Sequence, residues 1–173
     1  MTLEIKDSNM TPELKYKFLF ESLFKLCEKM KWGDPMSYAR SREILMAVTL
    51  GHKIADTLSG ADAIDEDGEC EYKSTVSTTI NGSYNGISVQ PTWEEQVEYL
   101  KNKKIAKYKN HYIAQFENGK IVEIWKLDGM DVLNILLPKL KKKFPNILTK
   151  KDPRLGASLT QKEIYEYGEK VVG

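Results

Sequence analysis

Residues 60–74 read Gly60-Ala61-Asp62-Ala63-Ile64-Asp65-Glu66-Asp67-Gly68-Glu69-Cys70-Glu71-Tyr72-Lys73-Ser74. Two short strand-like runs flank Glu66-Asp67-Gly68, which predicts an antiparallel hairpin. Side chains alternate faces along a strand, so Glu69, Glu71 and Lys73 share one side while Cys70 and Tyr72 take the other. With Glu66 and Asp67 at the centre of a two-residue turn, Asp62 falls opposite Glu71. With Asp67 and Gly68 there, it falls opposite Lys73. Either register puts an acid and the Glu-x-Lys pair on one face, whereas a three-residue loop separates them unless a bulge compensates.

Two carboxylates held close together repel, and a divalent cation relieves that cost. Magnesium prefers oxygen ligands and keeps several waters, so a pair of carboxylates plus a substrate phosphate oxygen is an ordinary site for Mg²⁺. Asp62 and Glu71 are therefore the candidate metal ligands, and Asp62, Glu71 and Lys73 the candidate catalytic residues. A lysine beside such an ion can orient or deprotonate an attacking water and offset charge developing on phosphorus. The chemistry this trio suits is phosphodiester hydrolysis. The competing account makes Lys73 a surface salt bridge. Cys70, on the other face, reads as a small core residue.

The rest of the chain bounds the reading. Its 173 residues fit one domain, residues 1–173, with a sizeable core. A composition of 41% hydrophobic and 29% charged residues disfavours both disorder and a membrane span. The opening residues lack the shape of a secretory signal, and two cysteines make no disulfide framework, so a cytoplasmic setting is expected. Net charge is +1, yet lysines cluster at 101–109 and 139–143 while acids concentrate in 62–71. A near-neutral protein can still offer basic surface around an acidic centre.

Thr11-Pro12-Glu13 predicts a helix start, followed by an apolar stripe through Tyr16, Phe20, Leu23, Cys27 and Met30. The extra apolar residues Phe18, Leu19 and Phe24 fit a helix buried in its own core or one packed on a second copy. A second helix is expected from near Ser37, with Ile44, Leu45 and Val48 inward. Residues 74–90, rich in Ser, Thr, Asn and Gly, read as a loop or exposed edge. Thr92 and Glu95 form a capping box for a short helix. Residues 105–116 and 121–127 read as strands joined by a primed turn at Asn118-Gly119. Residues 129–143 read as a helix disturbed at Pro138, and the tail from Asp152 as irregular until about Ile164. The sum is an α/β (α+β mixed) domain, a central mixed β-sheet flanked by helices.

With these residues in view, the chain resembles type II restriction endonucleases of the PD-(D/E)XK superfamily, and their PvuII-like branch in particular. Asp62-Ala63-Ile64-Asp65, Gly68 and Glu69 through Ser74 look like that family's metal-binding hairpin. Ile105 through Lys109, the strand to Phe116, Ile121 through Leu127 and the stretch Tyr167-Gly168-Glu169-Lys170-Val171 are also similar. The resemblance implies a restriction-endonuclease-like fold, Asp62 and Glu71 as Mg²⁺ ligands, Lys73 as the catalytic lysine, and a homodimer cutting both strands of a palindromic double-stranded DNA site. The N-terminal helices, about 12–50, would contribute to that dimer. Ala61 stands where the family carries proline, and residues 75–103 do not match its recognition segment. No base-reading residue is carried over.

From the residues alone, Asn81, Ser83, Tyr84 and Asn85 are candidate DNA contacts, with Thr78, Thr79 and Gln90 beside them, because their donors and acceptors suit base edges. Arg154 is a candidate for guanine. Lys107, Arg40 and Lys150 are candidates for phosphate, and Glu43 for an outer-sphere acid. A solvated loop is the plain alternative for the polar segment. Two further readings of the whole stand beside sequence-specific cleavage: a repair or junction-resolving nuclease of the same fold, and a non-catalytic DNA-binding module.

Overall fold

The computed structural model describes residues 10–37, 39–55, 60–147 and 151–173. Lys150 lies outside them. The described residues form a mixed α+β domain with five α-helices and a mostly antiparallel central sheet. In chain order the elements are α1 (Pro12–Met30), α2 (Arg40–Leu50), β1 (Lys53–Ile54), β2 (Ala63–Asp65), β3 (Gly68–Thr75) and β4 (Gly82–Ser88). They continue with α3 (Trp93–Tyr99), a π-helical turn (Leu100–Lys104), β5 (Asn110–Glu117), β6 (Lys120–Asp128), α4 (Gly129–Ile147), β7 (Arg154–Leu159), α5 (Gln161–Tyr167) and β8 (Glu169–Val172).

The central sheet runs β1-β2-β3-β5-β6-β8, and β4 pairs with β7 in a separate two-stranded ribbon. Only β3 and β5 run parallel, because the chain between them crosses over through β4 and α3. The other pairs in both sheets are antiparallel. One core layer packs α4 and the ribbon on β5 and β6 through Ile113, Leu127, Leu133, Leu136, Leu140 and Leu155. The other packs α2 on the opposite sheet face through Met46, Ala47, Cys70, Tyr72, Tyr112 and Ile124.

The first hairpin takes the register centred on Glu66 and Asp67: Ala63 faces Cys70 and Asp65 faces Gly68. Gly68 adopts φ 118, a conformation L side chains rarely adopt. At Asn118 (φ 50) and Gly119 (φ 75) both central residues are left-handed, so the expected primed turn forms.

Several expectations change. Of the loop or exposed edge expected within 74–90, residues 82–88 form an edge strand, β4, and residues 154–159 form β7 instead of irregular tail. Leu155, Ala157 and Leu159 alternate into the core opposite Tyr84 and Ile87, and that burial outweighs the polar composition of the other face. On α2 the inward residues are Met46 and Ala47, with Leu45 and Val48 exposed. Arg40, expected at phosphate, is buried: its guanidinium donates to the carbonyls of Trp32 (2.7 Å) and Ala55 (2.9 Å) and to Glu43 (3.3 Å). Helix α4 continues past Pro138 to Ile147, held by its stripe of buried leucines and Phe144. Helix α1 is not buried in its own core; Cys27 is its one buried residue.

Candidate active site

Strand β3 carries the alternation that the hairpin requires, with Cys70 and Tyr72 in the core and Glu71 and Lys73 half-buried on the other face. One step beyond Ala63–Cys70 in the register, Asp62 stands opposite Glu71. At Asp62 the chain leaves the regular ladder. Its N–H donates to the Cys70 carbonyl (3.1 Å), its carbonyl accepts from Ala55 N–H (3.2 Å), and its Oδ2 accepts from Tyr72 N–H (2.8 Å). These three bonds fix the carboxylate beside Glu71.

Asp62 and Lys73 line one cavity of about 270 Å³, with Arg42, Glu43 and Met46 of α2 and Ser83 and Asn85 of β4. Glu71 and Lys73 line an adjoining recess of about 70 Å³, with Ser83, Tyr84, Asn85 and Lys104. Lys73, Ser83 and Asn85 are common to both, so the two recesses adjoin at Lys73 and form the two halves of a cleft, with Asp62 in the larger and Glu71 in the smaller. The ammonium of Lys73 donates to Glu71 Oε1 and to the Tyr72 carbonyl (3.0 Å).

Electrostatically, Asp62 is under tension. Burial, and next the Glu71 carboxylate, push its carboxyl up to about 7, against the pull of the Tyr72 N–H and of Lys73; Glu43 adds to the push. A buried acid beside a second acid is the donor set that a hard cation relieves. Asp62 and Glu71 therefore fit Mg²⁺ with waters and a phosphate oxygen completing its shell. Among the described residues no group of three or more His, Cys, Asp or Glu side chains gathers for a metal. Cys70 is buried, with its thiol pushed up to about 12 by burial first, and is no nucleophile.

Tyr84 departs from its expected role. It is buried, and its ring lies 5.2 Å beneath the Lys73 ammonium. His111 Nε2 lies 3.1 Å from the Ile105 carbonyl and must donate to it, so Nδ1 accepts from the Tyr84 hydroxyl at 2.9 Å. Tyr84 and His111 thus form a buried support under Lys73 instead of a base contact. Burial holds the His111 imidazole down at about 4, which keeps it neutral. No local motif marks His111, because its partner Tyr84 is brought near only by the parallel pairing of β3 with β5 and the ribbon packed on them.

The other expected DNA contacts divide by position. Ser83 and Asn85 line the cleft and face outward from the ribbon. Asn81 donates to Thr75 Oγ1 (3.2 Å) and to the Thr79 carbonyl (3.1 Å), which organises the segment before β4. Arg154, exposed, donates to Asp152 (3.2 Å) and Ser88 (3.3 Å). Lys107 pairs with Glu69 at 3.1 Å, on the same face of β3 as Glu71 and Lys73. Arg42 and Lys104 line the cleft and are singled out by no sequence motif; Lys104 arrives on the π-helical turn, an irregularity frequent at functional sites.

No protein-family model matches the chain, and no curated protein matches it at a significant level.

Proposed function

We propose that this protein is a Mg²⁺-dependent type II restriction endonuclease, a cytoplasmic homodimer that hydrolyses both strands of double-stranded DNA at a short palindromic site. The observation that carries the reading is the placement of Asp62 and Glu71 in adjoining recesses that share Lys73, with the Asp62 carboxyl pushed up by burial and by that second acid. The mixed sheet with the acidic hairpin at its centre is compatible with a restriction-endonuclease-like core.

Asp62 and Glu71 would hold the cation, which when bound polarises the scissile phosphate and makes its water a better nucleophile. Lys73 orients the attacking water through its ammonium and offsets negative charge that builds on the phosphoryl oxygens. Tyr84, held by His111, keeps that ammonium from swinging out of the cleft. Arg42 and Lys104 add positive charge at the cleft walls, where the phosphates on either side of the reacting one must lie. Ser83 and Asn85 supply the polar edges that read bases nearest the cut.

A digest of supercoiled plasmid with Mg²⁺, and the same digest with EDTA, tests this. Discrete fragments formed only with Mg²⁺ are expected. Cutting confined to branched or damaged substrates would instead indicate a structure-specific nuclease, and retardation of DNA without cleavage a binding module.

A further inference from the structure

Helix α4 presents a polar stripe that flanks its leucines: Lys139, Lys142, Lys143 and Asn146, spaced i, i+3, i+4, i+7. With β7 this stripe lines a groove of about 660 Å³. The two outer lysines lean onto the ribbon. Lys139 donates to the Ser158 carbonyl (2.8 Å) and to Glu163 (2.6 Å), and Lys143 donates to the Gly156 carbonyl (2.6 Å). A carbonyl is neutral, so Lys143 keeps its charge, as does Lys142 beside it, whereas Lys139 is compensated by Glu163.

This groove is joined to the cleft across the width of the ribbon. Ser83, in the cleft, meets Ser158, in the groove, at 3.0 Å between hydroxyls. Asn85, also in the cleft, lies over Gly156: a Cβ there would come within 2.5 Å of Asn85 Oδ1. The ribbon's outward face is thus small and polar, with an acidic centre on one flank and, on the other, Lys142 and Lys143, which form no ion pair among the described residues. Strands lie about 4.8 Å apart, so the two flanks stand on the order of 10 Å apart, close to the roughly 12 Å of a major groove that admits a two-stranded ribbon.

We infer that the α4–β7 groove binds the phosphate backbone of duplex DNA on the side of the ribbon opposite the cleft, through Lys142 and Lys143. The inference rests on the nuclease reading and extends it, since it gives the duplex a second, sequence-independent track. Lysines there position the duplex and carry no base information, so their loss weakens all sequences alike.

The test is the salt dependence of binding to a duplex in EDTA for the wild type, Lys142→Ala and Lys142→Ala/Lys143→Ala, with Lys120→Ala, at a residue that does not line the α4–β7 groove, as control. Lys142→Ala leaves both contacts to β7 in place, so it remains informative if the double variant folds poorly. The slope of log affinity against log salt should fall by about one for the single variant and about two for the double. It should be unchanged for Lys120→Ala. Duplex binding with an unaltered slope in Lys142→Ala overturns the backbone track while leaving the nuclease reading intact. Absence of duplex binding by the wild type overturns both.

Discussion

Asp62 sets stability against the proposed chemistry. Its folded carboxyl, near 7, lies above the ordinary value of 3.8, so the folded state holds more protons between those limits and the metal-free protein loses stability as pH rises through them. Asp62→Asn keeps an acceptor for the Tyr72 N–H and removes the buried charge. In EDTA at pH 8 it should be more stable than the wild type by on the order of 2 kcal/mol, while in Mg²⁺ its cleavage disappears; a lower melting point would contradict the assigned tension. His111 works in the opposite direction. Its folded value of about 4 lies below the ordinary 6.5, so its contribution is complete above 6.5 and lost as pH falls toward 4, up to about 3 kcal/mol in all. His111→Gln should flatten that loss in denaturant titrations run across the same pH window, whatever its effect at neutral pH. The acids and Lys73 are legible in sequence because strand alternation dictates their faces. The Tyr84–His111 support is not, since it joins residues 27 apart across separate sheets.

At the scale of elements, the ribbon β4–β7 decides which polar side chains reach the cleft. Between Tyr84 and Ile87 the register shifts by one residue, and Gly86 takes φ 70 at that bulge. The irregularity places Asn85 over Gly156. Gly156→Val should displace Asn85 and relax discrimination among related DNA sites by roughly tenfold, at about 1–3 kcal/mol per misread base pair. Cleavage-site profiling of wild type and variant checks this; an unchanged profile removes Asn85 from recognition. The acidic hairpin and the Asn118-Gly119 turn are local signals and read directly from sequence. The ribbon pairs segments about 70 residues apart, so only the alternation of Leu155, Ala157 and Leu159 announces it, and the Ser- and Gly-rich composition of 82–88 points toward a loop.

At the scale of the molecule, α1 poses the largest unsatisfied demand. Tyr16 is 70% exposed and Phe18 47%, with Leu14, Leu26 and Met30 also open to water. A helix of this length with one buried residue gains little from packing, and so large an apolar surface marks an interaction site. A second copy of the chain is the proposed cover, since cutting both strands of a palindrome calls for two clefts. Sedimentation should show a dimer at micromolar concentration, and Phe20→Asp/Leu23→Asp should yield a folded monomer that cuts plasmid far more slowly; a wild type that sediments as a monomer contradicts the arrangement. Among the described residues no helix is long and apolar enough to cross a membrane. The most direct measurement is the single-turnover cleavage rate of Lys73→Ala with Mg²⁺, on DNA saturated with enzyme. The account predicts a rate lower by at least about 10²-fold with duplex affinity largely kept; cleavage at the unmutated rate would contradict it.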